Sequence, residues 1–131
     1  MIFVDTGPFL GRYLERDQHH KDSLASWERL KGELLFISEH VLDEVVTLLG
    51  RRCGSRFAAD RADQILHSPA IRVLRCDPDV ERTALNYFRK FGDLQISFTD
   101  ATSFALMEKN KLRRVFTFDF HFEAAGFHVL R

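Results

Sequence analysis

The chain has 131 residues, close to the roughly 150 of an ordinary domain, so it is expected to fold as one unit across residues 1–131. Its 19 basic and 19 acidic side chains cancel, which removes any whole-molecule attraction to nucleic acid and leaves phosphate binding to local patches. Hydrophobic residues at 45% and charged residues at 29% exclude a disordered, collagen-like or disulfide-scaffold chain, and no apolar run approaches the ~20 residues of a membrane span.

Ile2-Phe3-Val4 reads as a short buried strand running into Asp5-Thr6-Gly7-Pro8, where Asp5 or Thr6 caps a helix that Pro8 helps to start. Phe9, Leu10, Tyr13 and Leu14 give that helix an apolar face, and Leu24, Trp27 and Leu30 give one to a second helix near residues 18–31. Leu34-Leu35-Phe36-Ile37 is the second buried strand. Ser38 is placed to cap a helix whose apolar positions Val41, Leu42, Val45, Val46, Leu48 and Leu49 follow the 3.6-residue period and which ends in the segment 50–54. Phe57, Ala58, Ala62, Ile65 and Leu66 mark a further helix that stops at Ser68-Pro69, ahead of a strand over 71–74. Asp77-Pro78 opens a helix reaching about residue 91. Thr99 is expected to cap the next helix, with Ala101, Phe104, Ala105 and Met107 on its apolar side. The last strands are Val115-Phe116-Thr117 and Phe127-His128-Val129-Leu130. Strands alternating with helices, with no hairpin signal, predict an α/β domain with a mostly parallel central sheet and helices on both faces.

The N-terminus reaches Asp5 with no basic stretch and no useful apolar run before it, so no export signal is expected. Cys53 and Cys76 have no metal-ligand spacing, and a domain of this size needs no disulfide; a reducing cytoplasm is the expected compartment.

In a parallel sheet, ligands collect beyond the carboxyl ends of the strands. Asp5 closes the first strand, Asp100 begins a helix and Asp119 follows Val115-Phe116-Thr117-Phe118. Glu44 has Val41 at i−3 and Leu48 at i+4, so it borders the apolar face of its helix, whereas Asp43 shares a side with Glu39 and Thr47. Singly, each Asp is explained as a helix cap and Glu44 as a solvated helix edge. Caps need not converge, however, and carboxylates gathered in one cleft cannot all stay ionised without a cation among them. Oxygen ligands alone suit a hard ion, Mg²⁺ or Mn²⁺.

Val4-Asp5-Thr6, the stretch from Ser38 to Glu44, Thr99-Asp100-Ala101 and the closing run from Thr117 to Phe127 together resemble, in order and across the whole chain, the motifs of PIN domains. The resemblance is to the VapC-like toxin ribonucleases in particular. It implies a single α/β domain that binds Mg²⁺ or Mn²⁺ through an acidic quartet and cuts RNA. By position the quartet is Asp5, Glu44, Asp100 and Asp119, with Thr6 and Thr117 as polar neighbours. Asp5, Asp100 and Asp119 are expected to hold the ion directly or through water, and Glu44 to orient or deprotonate the attacking water. Water attack leaves a 5′-phosphate and a 3′-hydroxyl without using the ribose 2′-OH. The resemblance also implies a separately encoded antitoxin that covers the cleft, and a homodimer.

Two basic groups are candidates for RNA phosphates: Arg51, Arg52, Arg56 and Arg61 around one interhelical turn, and Lys109, Lys111, Arg113 and Arg114 before the last motif strand. His19 and His20 are expected on the surface, because helical neighbours point about 100° apart and do not chelate together. His121 is within reach of a substrate, with solvent exposure its default. Phe118, Phe120 and Phe122 cannot all face inward if their segment is helical. Two rival readings are a catalytically silent PIN-like RNA-binding or assembly module, and a phosphoacceptor receiver domain. The second lacks an acidic pair after the first strand and a Lys after Val115-Phe116-Thr117.

Overall fold

Strands of three or four residues, capped by polar residues at their carboxyl ends, alternate with helices throughout the computed structural model, which describes all of Met1–Arg131. β1 (Ile2–Val4) leads to α1 (Thr6–Tyr13) and α2 (His20–Arg29), and β2 (Leu35–Ser38) leads to α3 (Glu39–Cys53) and α4 (Ser55–His67). β3 (Ile71–Leu74) is followed by α5 (Pro78–Lys90), a 3₁₀ turn (Gly92–Leu94) and α6 (Phe98–Lys109). β4 (Arg114–Phe116), α7 (His121–Ala124) and β5 (His128–Leu130) close the chain. No helix is long and apolar enough to cross a membrane.

The sheet order is β3-β2-β1-β4-β5. Every pairing is parallel, with Phe3 aligned to Phe36 on one side and to Val115 on the other. Right-handed crossovers put α1–α4 on one face, because the chain moves from β1 outward to β3, and α5–α7 on the other, because it then returns across β1 to β4 and β5. The helix contacts agree: α1 packs on α2 and α3, α3 on α4, α5 on α6, and α6 on α7. The direction of winding reverses between β1 and β4, and a cleft opens at the carboxyl ends of strands at such a point.

The core joins Ile2, Phe3 and Val4 to Ile37, Phe104, Val115, Phe116 and Phe122. α6 is buried from Asp100 to Met107, which is why its sequence shows little division into polar and apolar faces. Its hydroxyls are satisfied locally, Thr102 and Ser103 both donating to the Thr99 carbonyl (2.7 and 3.0 Å). The α1–α2 pair is held by Pro8, whose carbonyl accepts from Ser23 Oγ (2.7 Å) and Trp27 Nε1 (3.0 Å). Gly11 allows that approach, since a Cβ there would lie 2.8 Å from Ser23 Cβ.

Ser38 accepts from the Val41 N–H (2.9 Å) and Asp77 from the Val80 N–H (2.8 Å), the caps expected for α3 and α5. Gly54, at φ 89°, stops α3 in a conformation other residues avoid. Two expectations change. α6 is capped by Ser97, two residues before Thr99, with Asp100 completing a capping box. Asp5 occupies the N-cap position of α1 but makes no side-chain cap bond, because its carboxylate is engaged elsewhere.

Candidate active site

Asp5 leaves β1 at the point where winding reverses and accepts a hydrogen bond from Thr117 Oγ1 (2.8 Å), 112 residues away, just past β4. The same hydroxyl accepts from the Asp119 N–H (3.0 Å), so Thr117 fixes both acids. Asp100 is positioned by the start of α6: its N–H donates to Ser97 Oγ (3.0 Å) and its Oδ2 accepts from the Ser97 N–H (3.4 Å). Asp119 accepts from the His121 N–H (2.9 Å). α3 carries Glu44 to the same cleft, while Asp43 is exposed and faces Thr47 (3.5 Å). The cleft, about 570 Å³, is lined by five carboxylates, those of Asp5, Asp17, Glu44, Asp100 and Asp119, and by no lysine or arginine.

Burial pushes the Asp5 carboxyl up to about 7, and the neighbouring Asp100 and Asp119 charges add to the rise against the Thr6 N–H and Thr117 bonds. Asp100 is raised as well, by burial first, then by Asp119 and Glu44, against the Ser97 bond and His121. Two neighbouring carboxyls that resist ionisation are a site short of positive charge. Thr6 Oγ1 is buried with no hydrogen-bond partner and lines the same cleft, an orphan polar atom. Hard oxygen donors, suppressed ionisation and an unsatisfied hydroxyl fit an oxygen-seeking divalent cation and its waters.

The structure therefore brings Asp5, Glu44, Asp100, Asp119, Thr6 and Thr117 together. It does not bring Arg51 and Arg52 to the cleft. Both are exposed at the end of α3, about 10 Å along the helix from Glu44 at 1.5 Å per residue. Of the second basic group, Arg113 and Arg114 stand at the amino end of β4, where Arg114 pairs with Glu33 (3.6 Å), and Lys109 at the end of α6 pairs with Asp77 (2.6 Å); none of the four lines the cleft.

Three side chains differ from their expected surroundings. The His121 side chain is only 16% exposed, with Nδ1 3.0 Å from Asp119 and 3.5 Å from Asp100. Its place two residues after Asp119 was the available signal. His19 stacks on Phe118 (4.2 Å between centroids, 9° between planes) and lines the cleft. His20 Nδ1 lies 2.7 Å from the Gly11 carbonyl. Periodicity gives no sign that the α1–α2 connection curls over the acids. Phe118, Phe120 and Phe122 separate as anticipated, into half-buried, exposed and buried. Both cysteines are free. Cys76 does approach Glu39 and His40, their ligand atoms lying within 4.8 Å of one another, a cluster the sequence spacing conceals. There the Glu39 carboxylate already accepts from the Cys76 N–H (2.9 Å) and pairs with Arg75 (3.5 Å).

The PIN domain family matches residues 2–128. The chain is 39% identical over 131 residues, 100% of its length and 98% of the relative's, to a Mycobacterium tuberculosis protein named 23S rRNA-specific endonuclease VapC20. It is 34% identical over 122 residues, 86% of this chain and 73% of the relative, to a VapC ribonuclease of Archaeoglobus fulgidus. The crystal structure of M. tuberculosis VapC20, described as a Sarcin-Ricin loop cleaving toxin, aligns with a TM-score of 0.88 at 38% identity, covering 97% of this chain and 96% of that one. FitAcB from Neisseria gonorrhoeae shares the fold, with a TM-score of 0.74 at 19% identity over 100% of this chain and 97% of that one. The chain belongs to the PIN domain family, and within it to the VapC-like toxin ribonucleases.

Proposed function

We propose that this VapC-type ribonuclease is a Mg²⁺- or Mn²⁺-dependent endoribonuclease, with Asp5, Asp100 and Asp119 holding the ion directly or through water. The supporting observation is a cleft with five carboxylates and no lysine or arginine. An RNA phosphodiester is repelled from such a surface unless a cation intervenes. When bound, the ion supplies positive charge for the phosphoryl oxygens and lowers the cost of deprotonating water.

The protein's own groups do the remainder. Thr117 holds the Asp5 carboxylate and the Asp119 backbone in register. Glu44, which α3 brings to the same cleft, orients the attacking water and accepts its proton. Thr6 Oγ1, without a partner in the fold, has a free hydrogen bond for a phosphate oxygen or a water. The products carry a 5′-phosphate and a 3′-hydroxyl. Arg51 and Arg52 lie beyond the acids and serve flanking phosphates. The name of the M. tuberculosis relative makes 23S rRNA the first substrate to test. The partners proposed are a cognate antitoxin over the cleft and a second copy of the chain, in the cytoplasm.

Purified protein is incubated with ribosomal RNA and a mixed RNA pool, with Mn²⁺ or EDTA. Cleavage is expected with Mn²⁺ alone, with Glu44→Gln and Asp119→Asn inactive yet folded and Asp43→Asn active. Equal cleavage in EDTA sinks the metal-dependent reading, and RNA binding without cleavage replaces it with a silent binding module.

A further inference from the structure

We propose that His121 is itself a ligand of the ion in this cleft, and that its ring nitrogen biases the centre toward Mn²⁺ over Mg²⁺. The inference rests on the metal-dependent reading above and specifies which metal the cleft selects.

The carboxylates of Asp100 and Asp119 and the imidazole of His121 each present a ligand atom, and the three lie within 4.8 Å of one another. Two atoms on one ion, each at about 2.2 Å, are separated by at most ~4.4 Å, so the grouping is already near the size of a coordination shell. Nδ1 is the nitrogen turned inward, at 3.0 Å from Asp119 and 3.5 Å from Asp100. The ring is not placed there by chance rotation. The His121 N–H donates to Asp119 Oδ1 (2.9 Å), which ties the two residues into one turn, and the Phe120 ring packs against the imidazole at 4.4 Å.

Nitrogen changes the chemistry of the donor set. Mg²⁺ demands oxygen and keeps its waters, whereas imidazole raises affinity for transition-metal ions, and Mn²⁺ also accepts the carboxylates that dominate here. A contrasting role is available from the same distances: His121 as a positioning residue that only donates to Asp119. That role predicts a different response, because an arm that steadies a carboxylate helps both ions alike. His19 also lines the cleft, but its ring is stacked on Phe118, which makes it the internal control.

The test is Mn²⁺ binding to the full chain followed by electron paramagnetic resonance, with Mg²⁺ as competitor. Pulsed spectra of wild type and His19→Ala are expected to show a nitrogen directly coupled to Mn²⁺. Labelling histidine with ¹⁵N should change that coupling without any substitution. In His121→Ala and His121→Asp the coupling is expected to vanish, and the Mn²⁺/Mg²⁺ affinity ratio to fall tenfold or more. Mn²⁺ bound to wild type with no coupled nitrogen overturns the inference. So does a His121→Ala variant in which both affinities fall together at constant ratio, which assigns His121 to positioning Asp119. Binding of Mg²⁺ without Mn²⁺ overturns the inference alone, and failure of wild type to bind either ion overturns the metal-dependent function along with it.

Discussion

Asp5 is an acid whose proton is retained to about pH 7 in the folded chain and released near pH 4 in the unfolded one. The folded state therefore binds more protons between those values, and the contribution of Asp5 to stability, full below pH 4, is lost as pH rises through 7. At about 1.4 kcal/mol per pK unit the loss is on the order of a few kcal/mol. Urea unfolding of metal-free protein at pH 5 and pH 8 should show wild type losing this increment relative to Asp5→Asn, which has nothing to titrate; Mg²⁺ should restore more stability at pH 8 than at pH 6. Equal pH slopes in the two proteins would remove Asp5 from the repulsive cluster. At this scale the sequence is informative about which acids gather in the cleft, because strand ends and helix faces locate Asp5, Glu44 and Asp119. It offers only the spacing from Asp119 for His121 and no signal for His19, whose stacking on Phe118 depends on which rings meet across a loop.

The start of α6 joins a structural device to a chemical one. Ser97 caps the helix and in doing so fixes Asp100 by a reciprocal pair of bonds. Ser97→Ala should cost about 1 kcal/mol, the usual value of a lost cap, and should also lower cleavage by freeing the Asp100 carboxylate. Thr99→Ala should spare the cap, since Thr99 contributes its carbonyl to Thr102 and Ser103. Chemical denaturation with single-turnover cleavage separates the two variants. Thr99 is easily mistaken for the cap in the sequence: Ser97 and Thr99 both precede the apolar run, and only the backbone path shows which hydroxyl faces the free N–H groups. The other elements are legible because their caps and breakers, Ser38, Gly54, Asp77 and Pro78, stand alone. α6 carries the weakest pattern, since a helix covered on all sides has no periodicity to read.

At the scale of the molecule, zero net charge means RNA is held by patches. If Arg51 and Arg52 bind flanking phosphates, the double alanine variant should bind single-stranded RNA with a log–log salt slope shallower by about 0.7 for each phosphate no longer neutralised. Substituting Lys111 and Arg113, at the amino end of β4, should leave the slope unchanged. Binding measured from low to moderate salt decides between the patches. Sheet order is the part of the fold that periodicity does not supply, for short apolar strands look alike until they pair. That order has a consequence in time. The central strand is made first and its neighbour β4 almost last, so Asp5 leaves the ribosome long before Thr117 and Asp119 exist to complete its surroundings. A cell translating this chain meets no assembled cleft until the final segment has emerged and paired, and incomplete chains released early carry most of the domain without the centre.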